Sequence, residues 1–302
     1  MTKRKKVLVT GALGMLGVDV TAALEAAGQF EVIPTDLHNL NITDVGAVRD
    51  ILISESPDVV LHLAAFTDVD AAESRQLDCW LVNAEGTKNL AFFCRERGAE
   101  LIYISTDYVF DGTSGEPYLE HDPPNPINFY GRSKLGGEEY AQALLEKVKI
   151  VRTSWLCGPG GSGRNFIETI LQLAKRESEL NVVTDQVGRP TFTFDLAQAL
   201  VRLIGVPEYG IFHATNEGMC SWFDFAVEIL RQAGVRNIPV KPILSDQLRN
   251  RPARRPAFST LENTRFAKLG LALLPPWQKS LGRYLQLRQS QNKKSADSSA
   301  SE

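Results

Sequence analysis

The chain has 302 residues, of which 43% are hydrophobic and 23% charged, and its formal net charge is −3. This composition is that of a globular protein with a large core, and the charge gives no reason to expect nucleic-acid binding. No run reaches the roughly 18 apolar residues of a membrane span, no secretory signal opens the chain, and its four cysteines are too widely spaced for a metal or redox motif. We therefore expect a cytoplasmic protein with no nucleic-acid or membrane partner and no metal.

The first half of the chain alternates between strand and helix patterns. We predict strands at Lys6–Thr10, Glu31–Thr35, Asp58–Leu63, Glu100–Ser105 and Lys149–Thr153, and helices at Met15–Ala27, Val45–Ser56, Leu81–Arg97 and Phe129–Leu145. Repeated β-α-β units of this length predict an α/β fold, a doubly wound parallel sheet of the Rossmann type. We assign residues 1–155 to this dinucleotide-binding domain.

Beyond Trp155 the alternation becomes less regular. We predict strands at Leu180–Thr184 and Gly210–Ala214, and helices at Asn165–Lys175, Asp195–Ile204 and Ser221–Ala233. These elements indicate a smaller α/β C-terminal substrate lobe over residues 156–287, packed on the carboxyl edge of the sheet, although some segments can return to the first domain. The polar, serine-rich tail, 288–302, is expected to be disordered.

A glycine-rich turn follows the first strand and opens the first helix. Its sequence is Gly11-Ala12-Leu13-Gly14-Met15-Leu16-Gly17. Glycines at this point allow a sharp turn and a close approach of the backbone to a pyrophosphate, and the helix start offers free N–H groups. We therefore predict that this turn binds a dinucleotide through Gly11, Gly14, Met15, Leu16 and Gly17.

Asp36 ends the second predicted strand, about 20 residues after the turn, where an acidic side chain binds the adenosine ribose. Its carboxylate would repel the 2′-phosphate of NADPH, and no Lys or Arg follows closely. The cofactor is therefore NADH or NADPH, with NADH slightly favoured. The alternative is that Asp36 only caps a turn.

Tyr130 and Lys134 stand four residues apart at the start of a predicted helix, which places them on one face. A neighbouring ammonium favours the phenolate, so this pair can exchange a proton with a developing alkoxide. Thr106 follows the fourth strand, at the edge where a parallel sheet opens its ligand crevice. The three side chains predict a catalytic site, although Ser105-Thr106-Asp107 also suits a simple turn.

Several strings together carry a family resemblance. They are Thr10–Gly17, His62–Ala65, Asn83–Gly86, Ser105–Gly112, Tyr130–Lys134, Ala64–Glu73, Arg152–Gly158, Asp185–Thr191 and Arg255-Pro256. The chain resembles the extended short-chain dehydrogenases/reductases and, from near residue 6 to about 287, the dTDP-4-dehydrorhamnose reductase family. This resemblance implies reduction of the C4 ketone of dTDP-4-dehydro-L-rhamnose, a nucleotide sugar, to dTDP-L-rhamnose by a monomer or homodimer.

The resemblance also implies roles for individual residues. The catalytic trio is Thr106, Tyr130 and Lys134. Cofactor contacts are expected from Asn41, Ile42, Leu63, Ala64, Ala65, Thr67, Tyr130 and Lys134, in addition to the glycine turn and Asp36. Substrate contacts are expected from Thr67, Val69, Thr106, Asp107, Tyr108, Trp155 and Arg255. Asn41 stands where the family has an acidic residue, and Trp155 has an alternative role as a core residue between the lobes. Some members form dimers bridged by magnesium through glutamates; Asp19 and Phe194-Asp195 stand nearest here, so we predict no metal.

Other readings of the same strings remain open. A 4,6-dehydratase would need an Asp-Glu pair after Thr106, whereas Asp107 and Tyr108 follow here. An epimerase or another sugar-nucleotide reductase needs little beyond Tyr130 and Lys134. A non-catalytic protein similar to the regulatory subunit of methionine adenosyltransferase could keep both residues. Consumption of the reduced cofactor with a keto-sugar separates this last class from the enzymes.

Overall fold

The structure is a computed structural model that describes residues 4–161, 165–248 and 251–299, with side chains to Ser290. The strands are β1 (Lys5–Thr10), β2 (Phe30–Thr35), β3 (Val59–His62), β4 (Glu100–Thr106), β5 (Val148–Thr153), β6 (Leu156–Cys157), β7 (Leu180–Val183), β8 (Val187–Gly188), β9 (Thr191–Phe192), β10 (Gly210–His213), β11 (Asn216–Glu217), β12 (Cys220–Ser221), β13 (Val240–Ile243) and β14 (Leu274–Pro276).

The helices are α1 (Met15–Ala27), α2 (Val45–Glu55), α3 (Val69–Ser74), α4 (Gln76–Trp80), α5 (Gly86–Arg97), α6 (Phe129–Leu144), α7 (Phe166–Leu173), α8 (Thr193–Leu203), α9 (Trp222–Gln232), α10 (Thr264–Lys268) and α11 (Trp277–Ser299). A π-helical segment, Leu81–Glu85, leads into α5. Within the described ranges, no helix is both long enough and apolar enough to cross a membrane.

The centre of the molecule is a parallel sheet in the order β10-β5-β4-β3-β1-β2. Its register sets Thr10 opposite His62 and Thr106 opposite Thr153, so polar side chains meet at the carboxyl ends of the strands. The strand order reverses beside β1, and ligands bind parallel α/β sheets at such a switch point. The predicted fold class is confirmed, and the site is expected at this edge.

Each face of the sheet is covered by helices. Val7 and Val9 pack toward α1 and α8, whereas Leu8 packs toward α2 and α5. Because helices cover both faces of the sheet, successive side chains of a strand are all buried, and each strand is a continuous apolar run in the sequence. Apolar burial on both faces supplies the main stabilisation, at roughly 25 cal/mol per Å².

The C-terminal lobe has its own core between α7, α9 and α11. Large apolar side chains fill this core, among them Phe192, Phe225 and Trp277, which are at most 3% exposed. Short strand pairs, β12 with β8 and β13 with β7, connect the lobe around them. The lobe therefore has a packed base on which loops near the sheet edge are held.

Two later segments pack with the first domain, as the predicted division allowed, and the tail is helical where disorder was predicted. Strand β10 joins the central sheet beside β5, and α8 packs on α1, so both return to the first domain. Residues 288–299, which we expected to be disordered, continue α11 as helix to Ser299. The packed first turns of α11 nucleate the helix, which then continues through this run. The prediction for 300–302 lies outside the described residues.

Candidate active site

The turn between β1 and α1 has room only for glycine at two positions. Gly11 has φ of +69°, and a Cβ there would lie 2.8 Å from the backbone nitrogen of Ala64. A Cβ on Gly17 would lie 2.1 Å from the carbonyl oxygen of Gly11. Gly14 precedes α1 without a side-chain cap, which leaves the first N–H groups of the helix free. A narrow cradle with free N–H donors fits the pyrophosphate of a dinucleotide.

Asp36 holds this turn in place. Its carboxylate accepts hydrogen bonds from the N–H groups of Leu13 at 2.9 Å and Leu37 at 2.8 Å. Each carboxylate oxygen keeps a second direction in which it can accept a bond. The group can therefore support the turn and still accept hydroxyl groups of a ribose, so the turn-stabilising role and the predicted cofactor role are compatible.

The two residues expected near the adenine make contacts within the protein. Asn41 Oδ1 accepts bonds from the backbone nitrogen and the hydroxyl of Thr43, at 3.1 and 2.9 Å. The Ile42 side chain is 4% exposed and packs so closely on Gly86 that a Cβ there would lie 2.7 Å away. The side chain of Ile42 thus belongs to the core, and the Nδ2 group of Asn41 is the part that these bonds leave unused.

A buried hydrogen-bond chain supports the loop after β3. Thr10 Oγ1 lies 2.8 Å from His62 Nδ1, and His62 Nε2 lies 3.1 Å from Thr87 Oγ1. Because Thr10 Oγ1 also accepts the N–H groups of Leu63 and Ala64, it donates to Nδ1, and the ring proton is on Nε2. Burial lowers the pKa of His62 to about 3, so the ring is neutral.

Asn83 positions the loop in which Thr67 and Val69 were expected to contact ligands. Its fully buried amide accepts from the N–H of Phe66 at 2.8 Å and donates to the carbonyl of Phe66 at 3.0 Å. The same amide donates to Ser133 Oγ on α6 at 2.9 Å. Thr67 follows on the exposed side of the loop, and Val69 begins α3. Asn83 therefore joins this loop to the helix that carries Tyr130.

A close helix-to-strand approach brings Tyr130 to Thr106. Helix α6 starts with Asn128, whose side chain accepts the N–H of Gly131 at 2.7 Å. A Cβ on Gly131 would lie 2.1 Å from the carbonyl oxygen of Tyr108, so a larger residue would push the helix away from β4. At this separation the Thr106 hydroxyl is close enough to the phenol of Tyr130 to lower its pKa. The first two members of the predicted trio thus meet.

Lys134 lies one helical turn further along α6 and is 2% exposed. Its Nζ donates to the carbonyl oxygen of Ile104 at 2.7 Å and lies 4.1 Å above the ring of Tyr103. Burial lowers the pKa of Lys134 to about 7, against the opposing effect of the Glu138 carboxylate. Near neutral pH this ammonium is therefore close to losing its proton.

Burial raises the pKa of Tyr130 above its ordinary value, the Asp107 carboxylate raises it further, and the Thr106 hydroxyl opposes the rise. This direction is opposite to the lowering that we expected from Lys134, because removal from water is the largest effect on the phenol. The phenol consequently stays protonated at neutral pH. A protonated phenol is suited to give a proton rather than to take one.

Asp107 was expected to contact the substrate, but both of its carboxylate oxygens have protein partners. Oδ2 accepts from Ser259 Oγ at 2.5 Å, and Oδ1 accepts from Thr106 Oγ1 at 3.1 Å. Burial raises the pKa of Asp107 to about 7, although these two hydrogen bonds lower it. The residue thus joins the end of β4 to the segment of the C-terminal lobe that contains Ser259.

Arg255, also expected to contact the substrate, is held by protein groups as well. Its two terminal nitrogens donate to the two oxygens of Asp70, each at 2.6 Å, and one also donates to the carbonyl of Ala253. The guanidinium further contacts the phenol of Tyr108. Such a bidentate pair has a fixed geometry. It therefore anchors α3 and Tyr108 beside the trio.

Trp155 has φ of +45°, an uncommon conformation for a bulky residue and one that occurs mainly at functional sites. Its ring stacks on Trp222 with centroids 3.5 Å apart and planes 9° from parallel. A Cβ on Gly188 would lie 2.6 Å from the same ring. The sugar contact that we expected for Trp155 stays a prediction and is limited to the ring surface that these neighbours leave open.

Comparison with known proteins decides the family. The family described as "RmlD substrate binding domain" matches residues 5–290. The dTDP-4-dehydrorhamnose reductase of Streptomyces griseus is 42% identical over 284 residues, which cover 92% of both chains. The chain belongs to the dTDP-4-dehydrorhamnose reductase family. The resemblance noted in the sequence is thereby confirmed.

Solved structures of this reductase family agree with the assignment. A crystal structure of a dTDP-4-dehydrorhamnose reductase from Clostridium acetobutylicum matches with a TM-score of 0.90 at 44% identity, covering 94% of this chain and 99% of that one. The corresponding structure from Bacillus anthracis, in complex with NADP, matches with a TM-score of 0.89 at 37% identity, covering 93% and 99%. The fold and the relative positions of the lobes are thus those of the family.

The sequence analysis did not identify several residues that support the candidate site. Ser259 and Trp222 carry no local signal, because each meets its partner only through the tertiary fold. Gly161 did carry one, since it lies within a glycine-rich run; a Cβ there would lie 2.7 Å from the nitrogen of Met15, beside the cradle. Within the described parts of the chain, no group of three His, Cys, Asp or Glu side chains is placed to hold a metal.

Proposed function

We propose that this chain reduces the C4 ketone of dTDP-4-dehydro-L-rhamnose to dTDP-L-rhamnose, using NADH or NADPH. The observation that carries the proposal is a protonated, half-buried Tyr130 beside Thr106 at the carboxyl edge of β4. Family membership over nearly the whole chain supports the substrate class, a deoxysugar linked to a nucleotide. The glycine cradle supports a dinucleotide cofactor.

The trio has distinct tasks in this reaction. A bound reduced nicotinamide would supply the hydride to the ketone carbon. Tyr130 donates its proton to the ketone oxygen as negative charge develops there, and Thr106 lies where its hydroxyl can hold the same oxygen. Lys134 presents its ammonium on the same helical face and stabilises the phenolate that remains. The burial of these groups strengthens each electrostatic contact.

The choice between the two cofactors is the finer part of the proposal. Asp36 beside the cradle favours NADH, because its carboxylate would accept ribose hydroxyls and repel a 2′-phosphate. The Bacillus anthracis relative, however, was solved in complex with NADP. We therefore propose that both cofactors are used, with NADH slightly favoured.

Two readings compete with the reductase. An epimerase would return the hydride to the sugar and leave the cofactor unchanged after each turnover, whereas a regulatory protein would bind without turnover. A reductase instead consumes one reduced cofactor for each ketone. Purified protein incubated with dTDP-4-dehydro-L-rhamnose and either cofactor should therefore oxidise NADH or NADPH in a one-to-one ratio with product.

The test of mechanism is Tyr130→Phe, which removes the proton and keeps the ring. We expect kcat to fall by about 10²–10⁴-fold, the usual contribution of general acid catalysis, with cofactor binding preserved. Tyr140→Phe is the matched control, because Tyr140 lies on the same helix and its hydroxyl donates to Glu85, outside the trio. If Tyr130→Phe reduces the ketone at the wild-type kcat, the assignment fails.

A further inference from the structure

Three oxygen atoms form a chain that leads away from the reacting phenol. The Thr106 hydroxyl lies close enough to the Tyr130 phenol to lower its pKa, and Thr106 Oγ1 lies 3.1 Å from Asp107 Oδ1. Thr106 Oγ1 also accepts the N–H of Tyr108 at 3.1 Å. A hydroxyl group has a single proton to donate. When Asp107 is ionised, the Thr106 hydroxyl donates a hydrogen bond to it. When Asp107 is protonated, Thr106 accepts a hydrogen bond from the carboxyl group, and its own proton can point to Tyr130.

We propose that Asp107 is a positioning residue that acts through Thr106 to return a proton to Tyr130 after each reduction. This inference rests on the proposed function, because it assumes that Tyr130 has given its proton to the sugar. The carboxyl O–H bond of Asp107 breaks as an O–H bond forms on Thr106, while the original Thr106 proton moves to the Tyr130 phenolate. No electrons are exchanged, and the Asp107 carboxylate regains its proton from water between turnovers.

The surroundings of Asp107 suit a carboxyl group that gains and loses a proton. It is 2% exposed, and burial raises its pKa to about 7. The titratable groups facing it are Tyr108 on its own turn and Tyr130 on α6. The arginines of the adjacent segment, Arg255 and Arg251, act on Tyr108. Among the described residues, its side-chain hydrogen bonds come from hydroxyl and backbone groups, and none comes from a cation.

Asp107→Asn tests the proposal, because an amide of the same shape cannot store the proton. The first turnover on enzyme preloaded with NADPH should run at the wild-type rate, since Tyr130 still starts with its proton. Steady-state kcat should then be about 10²-fold lower, because the phenolate is reprotonated slowly. Rapid mixing followed by steady-state assay should therefore show a burst of one product per active site.

Ser259→Ala supplies a second and milder variant. The hydrogen bond from Ser259 lowers the pKa of Asp107, so its loss should raise that pKa. Wild-type kcat should fall as the pH rises through about 7, the pKa to which burial raises Asp107, and in Ser259→Ala the fall should occur at higher pH. Lys134 also has a pKa of about 7 and would produce the same fall, but that fall would not move with Ser259.

The outcomes separate this inference from the proposed function. A burst in Asp107→Asn and an upward pH shift in Ser259→Ala are the expected results. In Asp107→Asn, equal slowing of the first and later turnovers, or wild-type rates for the first and later turnovers, would overturn the inference. If Asp107→Asn fails to fold, the inference is overturned when kcat of Ser259→Ala falls at the same pH as kcat of the wild type. If Tyr130→Phe keeps full activity, the proposed function itself fails, whatever Asp107 does.

Discussion

Two buried polar clusters lie side by side at the carboxyl end of β4, and they are built on opposite principles. The paired cluster consists of Ser105, Glu138 and Arg152. Arg152 donates to both Glu138 oxygens at 2.6 to 3.2 Å, and Ser105 donates to one of them at 2.5 Å. Both charged side chains are 1% exposed. Each buried charge here has an opposite charge as its partner.

The second cluster, named the catalytic cluster after its proposed role, consists of Thr106, Tyr130 and Lys134 with the positioning residue Asp107. Its carboxyl group bonds to hydroxyls and its ammonium bonds to a backbone carbonyl, so neither has a bidentate partner of opposite charge. Burial accordingly raises the pKa of Asp107 and lowers that of Lys134, each to about 7. Unpaired burial costs stability but brings proton exchange into the working pH range.

The difference arises from one strand. Ser105 and Thr106 are consecutive on β4, and they meet the same helix, α6, at different turns: Ser105 donates to Glu138, whereas Thr106 lies near Tyr130. One residue therefore serves the paired cluster, and the next serves the catalytic cluster. The comparison teaches that mutations in the paired cluster should act on stability, whereas mutations in the catalytic cluster should act on turnover.

The largest effect is expected from Glu138→Gln, which leaves Arg152 as a buried charge without its partner. Breaking a buried pair in this way typically costs about 3–5 kcal/mol of unfolding free energy. Urea denaturation measures the loss. Glu139→Gln, at the neighbouring exposed position, is the control and should change stability by less than about 0.5 kcal/mol. Similar values for the two variants would show that the pair does not stabilise the fold.

Lys134→Met should give the reverse pattern. We expect kcat to fall at least about 10²-fold, because the stabilising charge beside the phenolate is lost. Unfolding free energy should not fall at neutral pH, since Met matches the buried stem and removes a desolvated charge. Exposed Lys147→Met is the control. A large loss of stability with normal kcat would place Lys134 with the paired cluster instead.

The pH dependence of stability sharpens this second prediction. Burial lowers the pKa of Lys134 from 10.5 to about 7 in the folded protein, so the unfolded chain binds more protons between these values. The contribution of Lys134 to unfolding free energy should therefore rise with pH across that window. The wild type should gain stability relative to Lys134→Met between these pH values. A difference in unfolding free energy between the two proteins that stays constant with pH would contradict the lowered pKa of Lys134.

The smallest effect concerns Asp36, at the far end of the predicted cofactor site. A charge-assisted hydrogen bond contributes about 1.5–3 kcal/mol, so Asp36→Ala should weaken NADH binding by up to that amount for each ribose hydroxyl. Binding of both cofactors should fall somewhat, because the turn at Leu13 loses its support. The NADH-to-NADPH affinity ratio from titration is therefore the readout, with Asp50→Ala as an exposed control. An unchanged ratio would separate Asp36 from the ribose.

Much of the fold and part of the candidate site could be predicted from local patterns. The alternation of apolar runs with helical segments predicted the strands β1 to β5 to within a residue or two. The glycine turn and the spacing of Tyr130 and Lys134 also depend on neighbours in sequence, so they were readable there. Even the close approach at Gly131 is visible as a glycine between the two catalytic positions, although its reason is a carbonyl 2.1 Å from where a Cβ would be.

The remaining features depend on residues that meet only in three dimensions. The sequence by itself determined the parallel sheet, the cradle and the choice of the proposed catalytic trio, because periodicity, glycine content and i,i+4 spacing are local. Only the tertiary structure decided that Asp107 meets Ser259, that Trp155 stacks on Trp222, and that Arg255 is held by Asp70. It also reversed the expected pKa direction of Tyr130, since a pKa depends on how much water the folded chain excludes, and no local pattern specifies that amount.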